Sequence, residues 1–426
     1  MITLILGAAV SGVAAAHLAA DLGHEVAVYD RSSQAVAQLR TAGFTVHSGS
    51  WAAHLLDVVD LVIASPGFPE GSAPIQRALE AGVEVVSELE FGAAHLNVPY
   101  VAVTGTNGKT TITNVITDML NASGVPAVAA GNIGAPVCAL SESVAAVVVL
   151  EASSFQLRFI DGFHPVAAGI INVADDHLDW HGSSAAYAQA KARIFENMSG
   201  EDLLVFNADD PGATEAAKAA ACRVLPVSGI GVPEGGIGPS GGSLTLGEHR
   251  FPLSTADSSW VADLAMAAAI ATEVGATMEG IAPILAAFQA GPHRRRTVDS
   301  RNGITWIDDS KATNPHAARA AAGAYESVIL LAGGRNKDLD LSTIAPATVR
   351  HVIAFGEAGP SVAEVVTQPV TVVSDLAGAV LAADRIARAG DTVLLAPGCA
   401  SFDEFESYAV RGDRFADLVI ELGRAK

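Results

Sequence analysis

Short apolar runs rich in valine, isoleucine and leucine alternate with alanine-rich segments along the whole chain. Strands that are buried on both faces of a parallel sheet have this continuous apolar character, and helices occupy the segments between them. The alternation therefore predicts an α/β fold with parallel sheets. Ligands of such folds bind beyond the carboxyl ends of the strands, so the residues that follow each strand are the first site candidates. The predicted strands are 2–6, 26–29, 61–64, 100–104, 145–150, 168–172, 304–307, 328–332, 351–355 and 392–396.

The pattern divides into three blocks, which we predict to be three domains. Residues 1–92 form a small Rossmann-like unit, residues 93–291 a central domain, and residues 292–426 a second Rossmann-like unit. Within the central block, the Gly/Pro/Ser-rich stretch 229–242 is typical of a loop or hairpin, and the alanine-rich stretch 261–274 is typical of a packed helix. A length of 426 residues is ample for two or three domains that each bury a core.

Charge and cysteine content narrow the classes of function. The chain has 46 acidic residues against 25 lysines and arginines, a formal charge of −21. Without a dominant basic surface, nucleic acid and anionic membranes are disfavoured as partners. Cys138, Cys222 and Cys399 are widely spaced, which indicates buried thiols in a reducing cytoplasm. The chain starts directly with a predicted strand, so we expect no signal peptide, and no apolar run reaches the roughly 20 residues of a membrane helix.

The most informative motif is Gly105-Thr106-Asn107-Gly108-Lys109-Thr110-Thr111, directly after the predicted strand 100–104. Backbone N–H groups in a glycine turn point at phosphate oxygens, a lysine adds positive charge, and the next hydroxyl can bind Mg²⁺. The usual phosphate loop has four residues between its glycines, whereas this turn has two. The motif predicts a shortened P-loop for ATP or GTP, and the alternative is an ordinary surface turn.

A second glycine turn, from Gly7 to Gly12, follows the first predicted strand. It resembles the dinucleotide fingerprint G-x-G-x-x-G, but Ala9 occupies the position of the middle glycine, where a pyrophosphate needs close backbone approach. We therefore favour binding of another anion over binding of NAD. Asp30, at the end of the next strand, is a candidate for a sugar hydroxyl, and the turn 65–67 is a candidate for backbone donors. The alternatives are a helix N-terminus with a packing glycine for the first turn, and an ordinary turn for residues 65–67.

Acidic residues gather at strand ends in the central block. Glu151 follows the run 145–150, where a carboxylate near a P-loop hydroxyl is suited to hold Mg²⁺ against phosphates. The segment 172–179 contains three acids and His177, which is a candidate metal ligand or substrate-positioning residue. The alternatives are a solvated acid and a structural histidine. By local pattern alone, Lys191 is an ordinary helix lysine.

The third block contains a dense basic run, residues 291–296, in an otherwise acidic chain. An arginine there is better suited to reach nucleotide phosphates or substrate than to form a nucleic-acid surface. Three predicted strands of this block end in turns that carry cations and hydroxyls. Together these turns predict one face that binds a small dianionic molecule, although each alone is compatible with an ordinary turn. The residues concerned are Lys311, Thr313, Lys337 and Ser401.

Taken in order, these motifs resemble those of the Mur ligases of peptidoglycan synthesis. The resemblance covers essentially the whole chain, and the segment 309–314, Asp-Ser-Lys-Ala-Thr-Asn, is its most specific element. Among these ligases the chain is most similar to those that add D-glutamate, and it lacks the third-domain signature of those that add diaminopimelate or lysine. The other segments that carry the resemblance are 105–111, 151–156, 172–179 and 293–294.

The resemblance implies a cytoplasmic, monomeric, ATP-dependent ligase of cell wall biogenesis, and hence of cell shape and cell division. It would join D-glutamate to UDP-N-acetylmuramoyl-L-alanine through an acyl phosphate, with three domains that bind the uridine nucleotide, ATP and the amino acid. Two Mg²⁺ ions are implied. Thr110 and Glu151 would hold one, and His177 and a carbamylated Lys191 would hold the other.

The resemblance also assigns ligand contacts residue by residue. The catalytic set would be Lys109, His177, Lys191 and Arg294. The contacts to ATP would be Gly105, Thr106, Asn107, Gly108, Lys109, Thr110, Thr111, Arg294 and Asp309. The contacts to the uridine nucleotide would be Ser11, Asp30, Arg31, Ser65, Gly67 and Asn132. The contacts to D-glutamate would be Lys311, Thr313, Lys337, Ser401 and Tyr408.

One segment departs from the pattern of this family. Its members carry His-Asn-x-x-Asn at the start of the alanine-rich helix, where the asparagines serve the adenine. Here Trp260 and Asp263 stand at the asparagine positions. We therefore expect a different contact to adenine, with stacking on Trp260 as one option.

Alternatives from other classes stay open at this point. The nearest alternatives are another Mur-type ligase and a folylpolyglutamate-synthetase-like ligase. A folylpolyglutamate-synthetase-like ligase begins with the ATPase block, whereas in this chain a glycine-turn domain precedes the ATPase block. An NAD-dependent oxidoreductase is disfavoured by Ala9 and by the second phosphate loop. A nucleotide-binding module without catalysis is disfavoured by the complete set of Lys109, Glu151, His177 and Lys191.

Overall fold

The computed structural model describes residues 1–140 and 145–424. Contacts divide the chain into two compact units, Met1–Val173 with Trp180–Phe288, and Ala174–Asp179 with Gln289–Lys426. The first unit contains an N-terminal and a central sheet. The second contains the C-terminal sheet together with the short loop that carries His177.

The N-terminal sheet is parallel and buried on both faces. Its strands are β1 Ile2–Leu6, β2 Glu25–Asp30, β3 Thr45–Ser48, β4 Leu61–Ala64 and β5 Glu84–Ser87, and its helices are α1 Val10–Asp21, α2 Ala37–Thr41, α3 Ala73–Glu80 and α4 Glu88–Ala93, with a 3₁₀ turn at Ala53–Leu56. The strand order is β3-β2-β1-β4-β5. Ile5 packs in one hydrophobic cluster, whereas Leu4 and Leu6 pack in another, because successive side chains of a strand point to opposite faces.

The central sheet is also parallel, with the order β11-β10-β9-β6-β8-β7. These strands are β6 Tyr100–Thr104, β7 Ala127–Gly131, β8 Val147–Glu151, β9 Ala167–Ile170, β10 Leu203–Asn207 and β11 Arg223–Val227. The helices are α5 Lys109–Ala122, α6 Ser154–Leu157, α7 Leu178–His181, α8 Ser184–Ala192, α9 Pro211–Ala217, α10 Ser258–Glu273 and α11 Met278–Ala287, with 3₁₀ turns at Val137–Leu140 and Arg193–Phe195. Since β6 lies between β9 and β8, the exits of all three strands meet at one edge.

The two stretches of unusual composition in the central domain, 229–242 and 261–274, contribute to a small antiparallel sheet and to a buried helix. Part of the Gly/Pro/Ser-rich stretch forms the strand β12 Gly238–Ser240, which pairs antiparallel with β13 Ser243–Leu246, and this in turn pairs with β14 His249–Pro252. The alanine-rich helix α10 is buried without interruption over residues 261–271. A helix that is buried on all sides requires neighbours on all sides, and α10 packs on α5, on β9 and β10, and on the antiparallel strands β12 and β13.

The N-terminal and central sheets are joined by contacts within the first unit. Glu90 accepts hydrogen bonds from the N–H groups of Asp161 (3.1 Å) and Gly162 (2.9 Å). Glu88 accepts the N–H of Cys138 at 2.7 Å, and burial raises the pKa of Glu88 above its ordinary value against the opposing hydrogen bonds. These buried carboxylates serve backbone donors at the junction, so their role is structural.

The C-terminal sheet has the order β15-β16-β20-β17-β18-β19, in which β15 is antiparallel to β16 and the other pairs are parallel. The strands are β15 Arg296–Arg301, β16 Ile304–Asp308, β17 Val328–Gly333, β18 Val349–Phe355, β19 Val370–Val372 and β20 Thr392–Gly398. The helices are α12 Pro315–Gly323, α13 Gly359–Val365, α14 Leu376–Ile386 and α15 Tyr408–Arg424, with a 3₁₀ turn at Leu341–Thr343.

The predicted α/β architecture of parallel sheets is confirmed. The boundaries at residues 92 and 291 stay predictions. In the part of the chain that the structure describes, no helix has both the length and the apolar character needed to cross a membrane.

Candidate active site

The N-terminal sheet ends in a cavity of about 480 Å³. Its walls are the glycine turn after β1, the end of β2 and the turn after β4, which are the strand ends that α/β folds use for ligands. Five of the six residues assigned to the uridine nucleotide line this cavity, and the sixth, Asn132, follows β7 of the central sheet. The five are Ser11, Asp30, Arg31, Ser65 and Gly67.

Close packing of Gly7 against Ser65 shapes this cavity. Gly7 has a φ of +104°, and a Cβ there would lie 2.8 Å from Ser65 Oγ, so both backbone conformation and space exclude a side chain. Asp30 accepts a hydrogen bond from the N–H of Ala8 at 2.9 Å, which ties the turn to β2. The hydroxyls of Ser65 and Ser72 are buried in the cavity wall and have no hydrogen-bond partner among the described residues. The wall thus retains unused hydrogen-bonding capacity.

In the central domain, residues 105–108 connect β6 to α5 as a tight turn. Gly108 is the N-cap of α5 with a φ of +91°, and no side chain caps the helix. A Cβ at Gly105 would lie 2.9 Å from Ile171 Cβ, so a glycine allows the turn to pack closely. An anion at this turn would meet backbone N–H groups and the positive end of a 14-residue helix. The geometry is that of a phosphate loop, despite the shortened spacing.

Two lysine side chains converge on the carbonyl oxygen of Gly105. Lys109 Nζ donates to it at 2.8 Å, and Lys191 Nζ donates to it at 2.7 Å. Lys191 is 1% exposed, and its Nζ lies 4.5 Å from the centre of the Tyr187 ring. Tyr187 donates its hydroxyl to Thr106 Oγ1 at 3.2 Å. The local pattern described Lys191 as an ordinary helix lysine, and this is wrong because α8 buries it against the phosphate loop.

Asn172, just beyond β9, fixes the other side of the loop. Its Oδ1 accepts the N–H of Asn107 at 2.8 Å, and its Nδ2 donates to the carbonyl of Asn107 at 3.2 Å. The carbonyl of Asn172 also accepts the N–H of Thr106 at 3.0 Å. The sequence placed Asn172 in a polar strand-end segment without a role. Its role follows from the sheet order, since β9 neighbours β6.

Glu151 is the last residue of β8 and lies opposite Val103 of β6. It is 2% exposed, and its Oε1 accepts a hydrogen bond from Asn132 Nδ2 at 2.8 Å. Its Oε2 is buried and has no hydrogen-bond partner within residues 1–140 and 145–424. A buried carboxylate oxygen without a partner is costly, and Mg²⁺ takes such oxygens as ligands. The residues present therefore fit a magnesium ion at this strand end, with the Thr110 hydroxyl in the first turn of α5 as a further candidate ligand.

Asn132 has an observed contact that differs from its assignment to the uridine nucleotide. Besides the side-chain bond, its N–H donates to the carbonyl of Glu151 at 2.9 Å. The preceding Gly131 has a φ of +96°, and a Cβ there would lie 2.5 Å from that same carbonyl oxygen. Asn132 therefore orients the carboxylate of Glu151. Across the described residues, no group of three or more His, Cys, Asp and Glu side chains is placed to hold a metal ion.

The two positions that depart from the family pattern both lie in α10. Asp263 is 8% exposed, and its Oδ2 would lie 3.1 Å from a Cβ placed on Gly108, so the carboxylate borders the phosphate loop. The ring of Trp260 packs on Phe288 with 5.6 Å between ring centres. A carboxylate accepts hydrogen bonds and donates none, so at this place it suits an N–H donor.

In the second unit, Asp176 anchors the loop that carries His177. Its carboxylate accepts a hydrogen bond from Lys337 Nζ at 2.7 Å and another from Asn314 Nδ2 at 3.1 Å. Burial raises the pKa of Asp176, but Lys337 and the other donors outweigh burial and leave this pKa below its ordinary value. His177 has a φ of +53°, a left-handed conformation that costs about 1–2 kcal/mol in a residue with a Cβ. Lys337, assigned to D-glutamate, is thus engaged by Asp176.

The basic run forms a tight turn beside β16. His293 Nδ1 and Asp308 Oδ2 share a hydrogen bond of 2.7 Å, and both residues are buried. His293 and Arg295 have φ values of +57° and +50°, so two left-handed residues flank Arg294. The N–H of Arg295 donates to Asp309 Oδ1 at 3.2 Å. Burial raises the pKa of Asp309 to about 6, against the opposing effect of the two arginines.

The exits of β16, β20 and β17 lie side by side in the sheet. Arg335 and Ala400 exchange two backbone hydrogen bonds of 2.9 Å, which join the exits of β17 and β20. Lys311 Nζ lies 5.1 Å from the centre of the Tyr408 ring. The residues assigned to D-glutamate are thus carried on neighbouring strand exits and on the start of α15. They are Lys311, Thr313, Lys337, Ser401 and Tyr408.

Comparison with known protein families decides between the alternatives. The Mur ligase middle domain matches residues 103–234, the Mur ligase glutamate ligase domain matches residues 293–399, and the MurD-like N-terminal domain of Mur ligases matches residues 2–87. The chain belongs to the Mur ligase family. It is therefore an ATP-dependent ligase that forms amide bonds and uses magnesium.

This Mur ligase has relatives that align over nearly its whole length. It is 36% identical to the UDP-N-acetylmuramoylalanine–D-glutamate ligase of Desulfosudis oleivorans, with 98% of this chain and 96% of the relative covered. It is 38% identical to the UDP-N-acetylmuramoylalanine–D-glutamate ligase of Frankia casuarinae, with 98% and 93% covered. A pseudomurein peptide ligase type C from Methanothermus fervidus shares the fold, with a TM-score of 0.63 at 16% identity and 99% of each chain covered.

Proposed function

We propose that this Mur ligase joins D-glutamate to UDP-N-acetylmuramoyl-L-alanine, with conversion of ATP to ADP and phosphate, as a step of peptidoglycan precursor synthesis. The relatives from Desulfosudis oleivorans and Frankia casuarinae carry this activity in their names. The structural observation that carries the proposal lies on the neighbouring strands β6 and β8. A phosphate loop follows the first, and a buried carboxylate with an unused oxygen ends the second. That is the arrangement a magnesium–nucleotide complex requires.

The phosphate loop and its lysine would counter the charge of the triphosphate. A substrate carboxylate has to approach the γ-phosphate, and the repulsion between these anions is the main electrostatic obstacle. The N–H groups of residues 105–108, the ammonium of Lys109 and the helix dipole of α5 reduce it. Thr110 and Glu151 would hold one Mg²⁺, which neutralises phosphate charge when bound. The roles of Arg294 and Asp309 toward the nucleotide rest on the resemblance and stay predictions.

His177 and Lys191 are proposed for a second Mg²⁺, which requires Lys191 to change chemically. An ammonium does not bind a cation, whereas a carbamate offers two carboxylate oxygens. The uncharged amine of Lys191 would add CO₂ and release one proton. A ¹³C NMR resonance in the carbamate region after incubation with ¹³C-bicarbonate should be present in the wild type and absent in Lys191→Ala, and its absence from the wild type would exclude this modification.

The reaction would proceed in two displacements. In the first, a carboxylate oxygen of the muramoyl substrate attacks the γ-phosphorus while the bond to the bridging oxygen of ADP breaks. In the second, the amine of D-glutamate attacks the acyl carbon, phosphate leaves, and the amine loses a proton. The chain supplies positioning and positive charge rather than a covalent intermediate of its own.

The remaining assignments distribute the substrates over the strand exits. The N-terminal cavity would take the uridine nucleotide, because it combines unused hydroxyls with Asp30 and Arg31. Asp263 would accept a hydrogen bond from the amino group of adenine, and Trp260 would offer an aromatic face. The cationic strand exits of the C-terminal domain would take D-glutamate, whose two carboxylates match them in charge. We expect a monomer in the cytoplasm, where ATP and sugar nucleotides are available.

The experiment that tests this proposal is phosphate release with ATP, Mg²⁺ and UDP-N-acetylmuramoyl-L-alanine, with D-glutamate compared against L-glutamate and other amino acids. D-Glutamate should stimulate release far more than the others do. Lys109→Ala should abolish turnover with the fold intact, whereas Lys218→Ala, an exposed lysine of the same domain, should behave as wild type. An absence of stimulation by D-glutamate would refute the substrate assignment, and near wild-type activity of Lys109→Ala would refute the role of the loop lysine.

A further inference from the structure

Arg411 is a cation in an unfavourable place. It lies in the first turn of α15 and is 1% exposed. The N-terminal end of a helix carries positive partial charge, which disfavours a cation there. Among the residues that the structure describes, no carboxylate lies within 4.0 Å of its guanidinium. Burial lowers its pKa to about 10, although more distant anionic groups oppose this. A charge kept under such conditions indicates a role that a neutral side chain does not fill.

The guanidinium contacts strand exits that are far apart in sequence. Its Nε donates to Ser310 Oγ at 3.0 Å and its Nη2 to the carbonyl of Ser310 at 2.9 Å, beyond β16. Its Nη1 donates to the carbonyls of Cys399 at 3.1 Å and Ala400 at 3.3 Å, beyond β20. A Cβ on Gly334, beyond β17, would lie 3.0 Å from Nη1, so the third exit also packs against the group. Every acceptor is uncharged, so the hydrogen bonds leave the positive charge of Arg411 in place.

These are the exits that carry the residues assigned to the amino acid. Ser310 precedes Lys311 and Thr313, and Ala400 precedes Ser401. The planar fork of an arginine can satisfy several carbonyls in fixed directions, which a lysine cannot do. Arg411 therefore sets the distance between the loops that would bind the two ends of an amino acid substrate.

We propose that Arg411 is a positioning residue of the amino-acid site, which fixes the exits of β16, β17 and β20 relative to one another and provides beneath them a positive charge whose hydrogen-bond acceptors are all uncharged. This rests on the proposed function, which places an acidic amino acid at these exits. Since the charge attracts a second carboxylate and has no such effect on an amide, Arg411 contributes to the preference for glutamate over glutamine.

The test uses the full-length enzyme and separates charge from geometry. Arg411→Lys keeps the charge and loses the fork, so KM for D-glutamate should rise about 10- to 100-fold while KM for ATP and for the sugar nucleotide changes less than about threefold. Arg411→Met loses both the fork and the charge. Besides the rise in KM, the ratio of kcat/KM for D-glutamate to kcat/KM for D-glutamine should therefore fall by a factor of about 10. Arg414→Met, an exposed arginine on the same helix, is the matched control and should equal wild type.

Ser310→Ala tests the same positioning role if the Arg411 variants do not fold. It removes one acceptor of the fork and leaves the guanidinium in place, so KM for D-glutamate should rise about 3- to 10-fold. A KM for D-glutamate within twofold of wild type in Ser310→Ala and in a folded Arg411→Lys would overturn the assignment. So would an equal rise in all three KM values, which indicates general loss of structure. A wild-type enzyme that uses no dicarboxylic amino acid would instead overturn the proposed function together with this assignment.

Discussion

Replacing Glu151 by glutamine should separate the metal-binding role of this carboxylate from its role in the fold. Oε1 is satisfied by Asn132, whereas Oε2 is buried without a partner among the described residues. Leaving a buried charged acceptor unsatisfied costs about 1–3 kcal/mol. Glutamine keeps the shape, still accepts the hydrogen bond from Asn132, and removes the charge. We therefore expect the metal-free variant to be more stable than the metal-free wild type by about 1 kcal/mol.

The same change should remove the response to magnesium and nucleotide. A ligand that binds the folded state at 100 times its Kd adds about 2.7 kcal/mol to the free energy of unfolding. Wild type should show such a gain with Mg²⁺ and a non-hydrolysable ATP analogue, and Glu151→Gln should show little of it. Phosphate release should fall by at least about 100-fold, because the loss of a metal contact removes charge stabilisation at the phosphates.

Differential scanning calorimetry of the full-length protein, first with EDTA and then with Mg²⁺ and the analogue, measures both effects. One kcal/mol corresponds to about 2–4 °C in Tm for a domain of this size. Glu215→Gln, a change at an exposed glutamate that pairs with Lys218, is the control and should leave both scans unchanged. An undiminished gain on addition of Mg²⁺ and the analogue would refute the metal-binding role of Glu151, and a metal-free Glu151→Gln that melts below wild type would show that the unpaired oxygen is not a net cost to the fold.

Three shorter predictions concern other residues. KM for ATP should rise as the pH falls through about 6, the raised pKa of Asp309, and Asp309→Asn should give a high KM without this pH dependence. Asp391→Asn should lower the free energy of unfolding at pH 7 by about 1.5–3 kcal/mol, because Arg350 donates to this carboxylate at 2.9 Å. Burial raises the pKa of Asp391, but the hydrogen bonds outweigh burial and leave this pKa below its ordinary value. In urea titrations, the contribution of Asp391 to the free energy of unfolding should therefore persist above about pH 4 and disappear at lower pH. Tyr187→Phe should lower kcat/KM for ATP about 3- to 10-fold by loss of the bond to Thr106, with a Tm near wild type, and an unchanged kcat/KM would count against that bond.

Much of the site can be predicted from the sequence, because ligands of α/β folds bind beyond strand ends. The phosphate loop, Glu151 and the cationic turns of the third block are each recognisable from a few consecutive residues. Within each sheet, side chains at the exits of neighbouring parallel strands lie together, because the carboxyl ends of these strands share one edge. The cavity-lining residues of the N-terminal domain are predictable for the same reason.

Other parts of the site depend on contacts between distant segments and leave no local mark. Lys191 has small neighbours typical of a surface helix, yet it is buried because it meets Gly105, 86 positions away. Arg411 meets Ser310 over 101 positions. The contact of Asn132 with Glu151 of the adjacent strand also has no local mark in the sequence, and the assignment of Asn132 to the uridine nucleotide stays a prediction. Such pairings follow from strand order and helix packing, which apolar runs alone do not specify.

The central claim is that this Mur ligase forms an amide between D-glutamate and UDP-N-acetylmuramoyl-L-alanine. The most direct measurement is mass spectrometry of the products after incubation with both substrates, ATP and Mg²⁺. We expect a nucleotide product heavier than the substrate by one glutamyl residue, formed in equal amount to ADP and absent when L-glutamate replaces D-glutamate. Formation of ADP without this product, or equal use of L-glutamate, would contradict the claim.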